Sequence, residues 1–150
     1  MGDIGGGWLD AGLAAWYEYE LFGRVRNYCT EEATSFQGYE DGYWRAPVRR
    51  RLEHEKERFL PALLGKRTGE LTPAENALCW SFYDHLLAAH PGAVRKLLID
   101  LKQKKPPREV LPQALGMDLF ATEDAWRAWV VENYPLQGDE AKAPPKGKKK

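Results

Sequence analysis

Cysteine is scarce in this sequence, and long apolar runs are missing from it. Its 150 residues include two cysteines, Cys29 and Cys79, which match no close-spaced metal-binding motif and are too few for a disulfide-rich scaffold. They are therefore two free thiols or one bridge. The chain has no run of about 18 apolar residues, the length needed to span a membrane. Residues 1–7 have neither the basic n-region nor the apolar h-region of a signal peptide. We expect a soluble chain, whose location the sequence does not specify.

The common catalytic signatures are missing as well. The chain has no Gly-rich phosphate loop, no CxxC pair and no G-x-S-x-G. His54-Glu55 begins like the zincin motif HExxH, but Arg58 stands where the second histidine belongs. His85 and His90 are five residues apart, a spacing that does not share a helix face, and His85 is expected at the polar edge of its helix. We expect no metal and no cofactor.

Charge and composition indicate one globular domain with an ordinary core, followed by a lysine-rich tail. Hydrophobic residues make up 43% and aromatic residues 12% of the chain, whose formal net charge is zero. Residues before 139 carry 17 basic and 20 acidic side chains, so specific nucleic-acid binding is not expected. We divide the chain into a flexible N-terminus (1–7), a helical domain (8–137) and a disordered tail (138–150). Weak, salt-sensitive contacts to anionic surfaces are expected from the tail lysines: Lys142, Lys146, Lys148, Lys149 and Lys150.

The hydrophobic pattern predicts an all-α fold, a single small domain of several helices. The first helix begins at Trp8 and ends at Gly23. Its apolar face is predicted to hold Leu9, Leu13, Trp16, Tyr17 and Leu21. Residues 24–46 are predicted to form a short hairpin or an ordered loop, whose aromatic side chains either line a binding surface or, as we favour, anchor the loop to the core. Pro47 opens a second, highly charged helix that runs to Phe59.

Capping signals place the remaining helices. Thr72-Pro73-Ala74-Glu75 is a capping box that opens a central buried helix ending near His90. The next helix ends in Lys102, Lys104 and Lys105, which we interpret as solvated cations that complement the helix dipole. A short helix begins at Pro107 and ends at Gly116. Thr122 is predicted to cap the last helix, with Glu123 and Asp124 in its first turn.

The stretch from residue 8 to 18, WLDAGLAAWYE, resembles the second zinc-binding helix of gluzincin metallopeptidases of the peptidase MA-like group, whose pattern is roughly W-L-x-E-G-x-A. In that pattern the glutamate before the glycine is the third zinc ligand. Ala11 stands there in this chain, and its methyl group cannot bind a metal. The later helices look like the helical C-terminal half of such domains, so the resemblance covers most of residues 8–134.

The resemblance implies a non-catalytic, metallopeptidase-like helical domain that serves as a protein-binding or structural subunit. A half-domain exposes the face that once met its missing half, so we expect another protein chain as partner. The expected partner-binding residues are Trp8, Trp16, Tyr17, Tyr19 and Trp44. The alternative is a partial or split gluzincin-type zinc peptidase, whose HExxH segment lies outside this chain.

Overall fold

The computed structural model describes residues 6–26, 38–39 and 41–136, and these residues form helices and connections without strands. The α-helices in these ranges are α1 (Gly7–Phe22), α2 (Arg45–His54), α3 (Leu60–Leu63), α4 (Pro73–Ala89), α5 (Pro91–Lys102), α6 (Pro107–Leu115) and α7 (Leu119–Asn133). A 3₁₀ turn over Thr68–Glu70 precedes α4. The predicted all-α class is confirmed. None of the described helices is long and apolar enough to cross a bilayer.

Helix α4 is the central element, as its sequence predicts. The Thr72 hydroxyl accepts the Glu75 N–H and the Glu75 carboxylate accepts the Thr72 N–H, which completes the capping box around Pro73. From Ala77 to Tyr83 every residue is buried. A helix that is buried on all sides is contacted by several neighbours, and α4 packs against α1, α2, α5 and α7.

Helix α1 lies against α4 through small residues. A Cβ atom at Gly12 would lie 2.6 Å from the Cys79 carbonyl oxygen, so only glycine allows this approach of the two backbones. Ala15 is buried beside it, between Trp8 and Tyr19 on the same face. The helix ends at Gly23 as predicted, in the left-handed conformation, with its N–H donating to the Tyr19 carbonyl.

The N-terminal boundary differs from the predicted one by a residue. Gly7, assigned above to the flexible N-terminus, is buried at the start of α1 and donates its N–H to the Lys66 carbonyl at 2.9 Å. A Cβ atom there would lie 2.1 Å from the Thr68 amide nitrogen. Residues 1–5 and 137–150, which include the whole predicted tail (138–150), lie outside the described residues.

The predicted hairpin or ordered loop over 24–46 falls largely outside the described residues, as does Cys29. Its described ends are joined, because the Val25 N–H donates to the Gly42 carbonyl at 3.0 Å. Gly42 has a φ of +76°, and a Cβ atom there would overlap the Val25 carbonyl oxygen. Tyr39 and Trp44 are buried, which agrees with aromatic anchoring at these two positions.

Helices α2 and α7 have different limits from those predicted. Helix α2 begins at Arg45 and ends at His54, so Pro47 is its third residue and residues 55–59 are not helical. Helix α7 begins four residues earlier than predicted, because Asp118 accepts the Ala121 N–H as its cap. Thr122 is therefore inside α7, where its hydroxyl donates to the Asp118 carbonyl oxygen. Helix α6 agrees with prediction and ends at Gly116 with a φ of +71°. Helix α5 ends at Lys102, so the predicted end at Lys104 and Lys105 is wrong, because the backbone turns out of the helix with Lys104 at a φ of +60°.

Candidate functional site

Three of the five expected partner-binding residues belong to the core. Trp8, Tyr19 and Trp44 are buried, so the expectation that they lie on an exposed surface is wrong. The Tyr19 and Trp44 rings pack on Trp80 of α4 at centroid distances of 4.7 and 6.0 Å. The aromatic side chains are large enough to fill the space between α1, α2 and α4, and burial there stabilises the fold more than exposure would.

Trp16 and Tyr17 lie nearer the surface but differ from each other. Trp16 is half-buried, and its indole N–H donates to the Asp84 carboxylate at 3.0 Å across the α1–α4 contact. The Tyr17 side chain is 58% exposed. Of the predicted partner-binding set, only Tyr17 is exposed.

An exposed apolar surface does exist at the C-terminal end of α1, which we call the α1 end patch. It consists of Tyr17, Leu21 and Phe22, which are 58%, 74% and 55% exposed. The sequence prediction placed Tyr17 and Leu21 on the apolar face of the helix, counted only Tyr17 as partner-binding and gave no role to Phe22. On that predicted face Leu9 is buried and Leu13 and Trp16 pack partly against the core, but the closest contact follows Trp8, Gly12, Ala15 and Tyr19. The small residues Gly12 and Ala15 were the available signal, since they mark where two helices come closest.

The chain after α1 folds back and fixes the α1 end patch. Gly23 turns the backbone, and the Glu18 carboxylate then accepts the Arg26 N–H at 2.8 Å. The Arg26 guanidinium lies over the Phe22 ring, 5.1 Å from its centroid. The patch therefore has a cation at one side, and the Phe22 ring is held by contact with it.

The position that corresponds to the gluzincin zinc ligand offers no donor. Ala11 is partly buried against the hydrophobic core. His54 is exposed at the end of α2, and Arg58, which follows it, donates to the Asp124 carboxylate. Within the described ranges no three side chains of His, Cys, Asp or Glu come close enough to hold a metal ion.

A shallow, open cavity of about 390 Å³ lies beside α2. Its lining consists of Tyr39, Pro47, Arg50, Arg51, His54, Glu55 and Ala74. Arg51 is paired with the Glu55 carboxylate at 3.0 Å. Burial raises the pKa of the Tyr39 phenol, although Arg51 opposes this shift, so the phenol stays protonated at neutral pH. Among the lining residues that the structure describes, no nucleophile is paired with a base.

Glu123 is the first of two buried polar groups that the sequence misplaced. It is 0% exposed, and its carboxylate accepts the N–H groups of Phe59 and Leu60 at 3.1 and 3.0 Å. Arg127 pairs with it at 2.8 Å. The same guanidinium donates to the carbonyl oxygens of Leu52, Glu55 and Glu57. We call this set the Glu123 cluster. The hydrogen bonds of Glu123 and Arg127 hold the backbone between α2 and α3 in place, which indicates that the cluster has a structural role.

His85 is the second misplaced group. Predicted at the polar edge of α4, it is instead 2% exposed, and neither ring nitrogen has a hydrogen-bond partner in the described part of the chain. Rings surround it: Trp129 of α7 lies 5.3 Å away and His90 lies 5.5 Å away, between centroids. The two histidines meet because the backbone leaves the helical conformation at His90. Burial, with a smaller contribution from His90, lowers the pKa of His85 to about 4.

Cys79 is a buried free thiol, which settles for this residue the alternative that the sequence left open. Burial raises the pKa of this thiol well above its usual value, and the nearby Glu75 carboxylate adds to the shift. A thiol that stays protonated is a poor nucleophile and a poor metal ligand. Tyr134 is buried too, and its pKa is raised by burial and by the adjacent Asp84, to which its hydroxyl donates.

Compared with protein-family models, with curated proteins and with solved structures, the chain matches none. The arrangement of its own residues is therefore the basis of the proposals that follow.

Proposed function

We propose that this chain is a non-catalytic helical domain that binds another protein chain, with the α1 end patch as its contact surface. One observation carries the proposal. Six large apolar side chains are exposed among the described residues, and three of them, Tyr17, Leu21 and Phe22, fall within six consecutive positions. Single exposed apolar residues are ordinary on a protein surface, whereas a cluster with aromatic members is typical of an interface.

The contacts around Phe22 support the same proposal. A side chain that is already held in place loses less conformational entropy on binding than a mobile one does. Phe22 lies at the Gly23 turn, and the Arg26 guanidinium covers its ring. The gluzincin resemblance agrees with the proposal, because a helical half-domain would present a face to a partner.

A split zinc peptidase is the alternative. It would need an HExxH segment from another chain and a third protein ligand. Ala11 stands at the ligand position, and its side chain packs partly against the core. Zinc binding that appears only in the Ala11→Glu variant, together with an HExxH-bearing partner, would show that the alternative fails in the natural chain through loss of this ligand.

The first test is native mass spectrometry of the chain isolated gently from its source, recording bound chains and zinc in one spectrum. The proposal expects a stoichiometric partner chain without metal. A lone, zinc-free monomer would contradict it, and bound zinc would favour the peptidase alternative.

The second test locates the interface on the purified pair. Leu21→Asp places a charge in the centre of the α1 end patch and should abolish the complex, since a desolvated unpaired charge opposes binding. Phe120→Asp is the matched control, because Phe120 is equally exposed, at 58%, on a different helix, α7. Both variants should keep wild-type helicity by circular dichroism. If the Leu21→Asp variant binds the partner as strongly as the wild type does, the α1 end patch is not the contact surface.

A further inference from the structure

Ion pairs are unevenly distributed among the described cations. Outside residues 91–109, at least five of the eleven described arginines and lysines pair with carboxylates: Arg49 with Glu53, Arg51 with Glu55, Arg58 with Asp124, Lys66 with Glu75 and Arg127 with Glu123. On α5 and the turn after it, Arg95, Lys96, Lys102 and Lys104 form no ion pair with any described residue. The chain as a whole is neutral, so this is a local excess of charge.

Residues 91–109 quantify the excess. They contain six basic and two acidic residues, a net charge of +4 in a chain whose total is zero. One of the two carboxylates, Asp100, already pairs with Lys105. All six basic side chains are exposed. The positive potential of this face therefore reaches solvent without local neutralisation.

The exposed cations surround an apolar side chain. Ile99 is 48% exposed, and its neighbours on the helix surface, three and four positions away, are Arg95, Lys96, Lys102 and Gln103. All four are exposed. We call Ile99 with Arg95, Lys96, Lys102 and Lys104 the basic α5 face.

The helix dipole does not account for this face. Cations favour the C-terminal turn of a helix, which suits Lys102, but Arg95 and Lys96 lie in the first half of α5. Lys104 adds a second indication. It adopts a φ of +60°, a left-handed conformation that glycine usually occupies after a helix, and is the only non-glycine residue described with a positive φ. A lysine at this position adds a positive charge to the face, although its backbone conformation is strained.

We propose that the basic α5 face binds an anionic lipid surface, a function separate from the α1 end patch. Clusters of four to eight Lys and Arg on an amphipathic helix are typical of sites for acidic phospholipids. Lysine is a compact point charge without fixed recognition geometry, which suits a field of mobile headgroups. Ile99 can enter the interfacial region of a bilayer, whereas a nucleic-acid phosphate backbone offers it no apolar contact. The face has no aromatic side chain for base stacking.

The test uses the full chain and vesicles of phosphatidylcholine, alone or mixed with phosphatidylserine. We expect sedimentation with the mixed vesicles only, and weaker binding as salt is raised. The variant Lys96→Glu/Lys102→Glu should lower the partition coefficient about 30-fold or more, since each cation near such a surface contributes about a fivefold factor. Its thermal unfolding should match that of the wild type because both residues are exposed.

A charge-matched control separates the face from the C-terminal lysines. Lys148→Glu/Lys149→Glu changes the net charge equally and should leave most of the binding intact. The inference is overturned if the mixed vesicles bind no protein, or if the tail variant loses binding while the α5 variant does not. Binding of RNA or polyglutamate without binding of phosphatidylserine vesicles would also overturn it, and would assign the face to another class of partner.

Discussion

The Glu123 cluster and His85 are both buried polar sites in contact with α7, yet the fold treats them differently. The cluster supplies partners for a buried carboxylate and for the guanidinium beside it, whereas both ring nitrogens of His85 lack partners among the described residues. The difference follows from their surroundings. Glu123 faces backbone that has left helical structure and needs acceptors for its N–H groups, while His85 faces the rings of Phe82, His90 and Trp129. A polar group can thus be buried without a large energetic penalty only where it meets hydrogen-bond partners.

The largest effect is expected from breaking the cluster. Arg127→Met keeps most of the apolar stem but leaves the buried Glu123 carboxylate without its counter-charge. Loss of one partner of a buried ion pair typically destabilises a protein by about 3–5 kcal/mol. Three backbone carbonyl oxygens also lose their donor. Urea denaturation at pH 7 measures the change in the free energy of unfolding.

The control is an ion pair at the surface. Arg58 and Asp124 are exposed, so Arg58→Met should reduce stability far less than Arg127→Met does. If both variants lose the same free energy, the buried cluster has no special structural role. A double variant, Glu123→Leu with Arg127→Met, should be more stable than Arg127→Met alone, because no buried charge is left unpaired.

Lowering the pH tests how the burial of His85 affects stability. The pKa of His85 is about 4 in the folded chain and about 6.5 in the unfolded chain, so the unfolded state binds the proton first as pH falls. Stability contributed by the neutral ring is complete above pH 6.5 and is lost as the pH falls towards 4. At pH 5 the loss is about 2 kcal/mol. Urea denaturation at pH 7 and pH 5 measures it.

Glu75, a carboxylate with a lowered pKa, does not account for a loss of stability between pH 7 and pH 5. Burial raises the pKa of Glu75, but hydrogen bonds from Lys66 and Thr72 outweigh burial and leave it below its usual value. Its contribution is therefore lost only at lower pH. The His85→Phe variant should lose about 2 kcal/mol less than the wild type between pH 7 and pH 5. An equal pH dependence of both proteins would exclude His85 as the cause.

A smaller loss of stability is expected when the hydrogen-bonded Trp126 indole loses its partner and so resembles the Trp80 indole. The Trp126 N–H donates to the Ser81 hydroxyl at 3.1 Å in the core, while the Trp80 N–H is buried without a partner among the described residues. Ser81→Ala should cost about 1–2 kcal/mol, since the Trp126 donor becomes unsatisfied. The intrinsic tryptophan fluorescence and the urea midpoint measure the change. Unaltered stability would mean that the hydrogen bond contributes nothing net.

The elements that the sequence predicted well are those with local causes. Thr72 and Glu75 lie three residues apart, so the capping box that begins α4 can be recognised without knowledge of the rest of the fold. Gly23 and Gly116 end their helices for the same kind of reason. The all-α class followed because such signals recur along the chain.

The errors concern residues whose environment is set by distant parts of the chain. Glu123 binds backbone that lies 64 and 63 residues earlier, and no local pattern encodes that meeting. Asp118 and Thr122 are both common cap residues, so local preference could not choose between them. On α1, weighting large side chains correctly placed Leu9, Leu13 and Trp16 against the core but also put the exposed Tyr17 and Leu21 on that face, and it left Leu21 and Phe22 out of the candidate site. The closeness of α1 and α4 at Gly12 decides that face.

The smallest expected effect is a gain in stability. Replacement of His85 by leucine at neutral pH removes two buried ring nitrogens that have no described partner, and it places a side chain of similar size among apolar rings. Exchange of an unsatisfied polar group for an apolar one of similar shape is nearly neutral or stabilising, so we expect up to about 1 kcal/mol of added stability. Thermal unfolding at pH 7 measures this as a higher Tm. A loss of more than about 1 kcal/mol would instead mean that a bound water or ion satisfies the ring. His85 would then resemble the Glu123 cluster, with a partner still to be located.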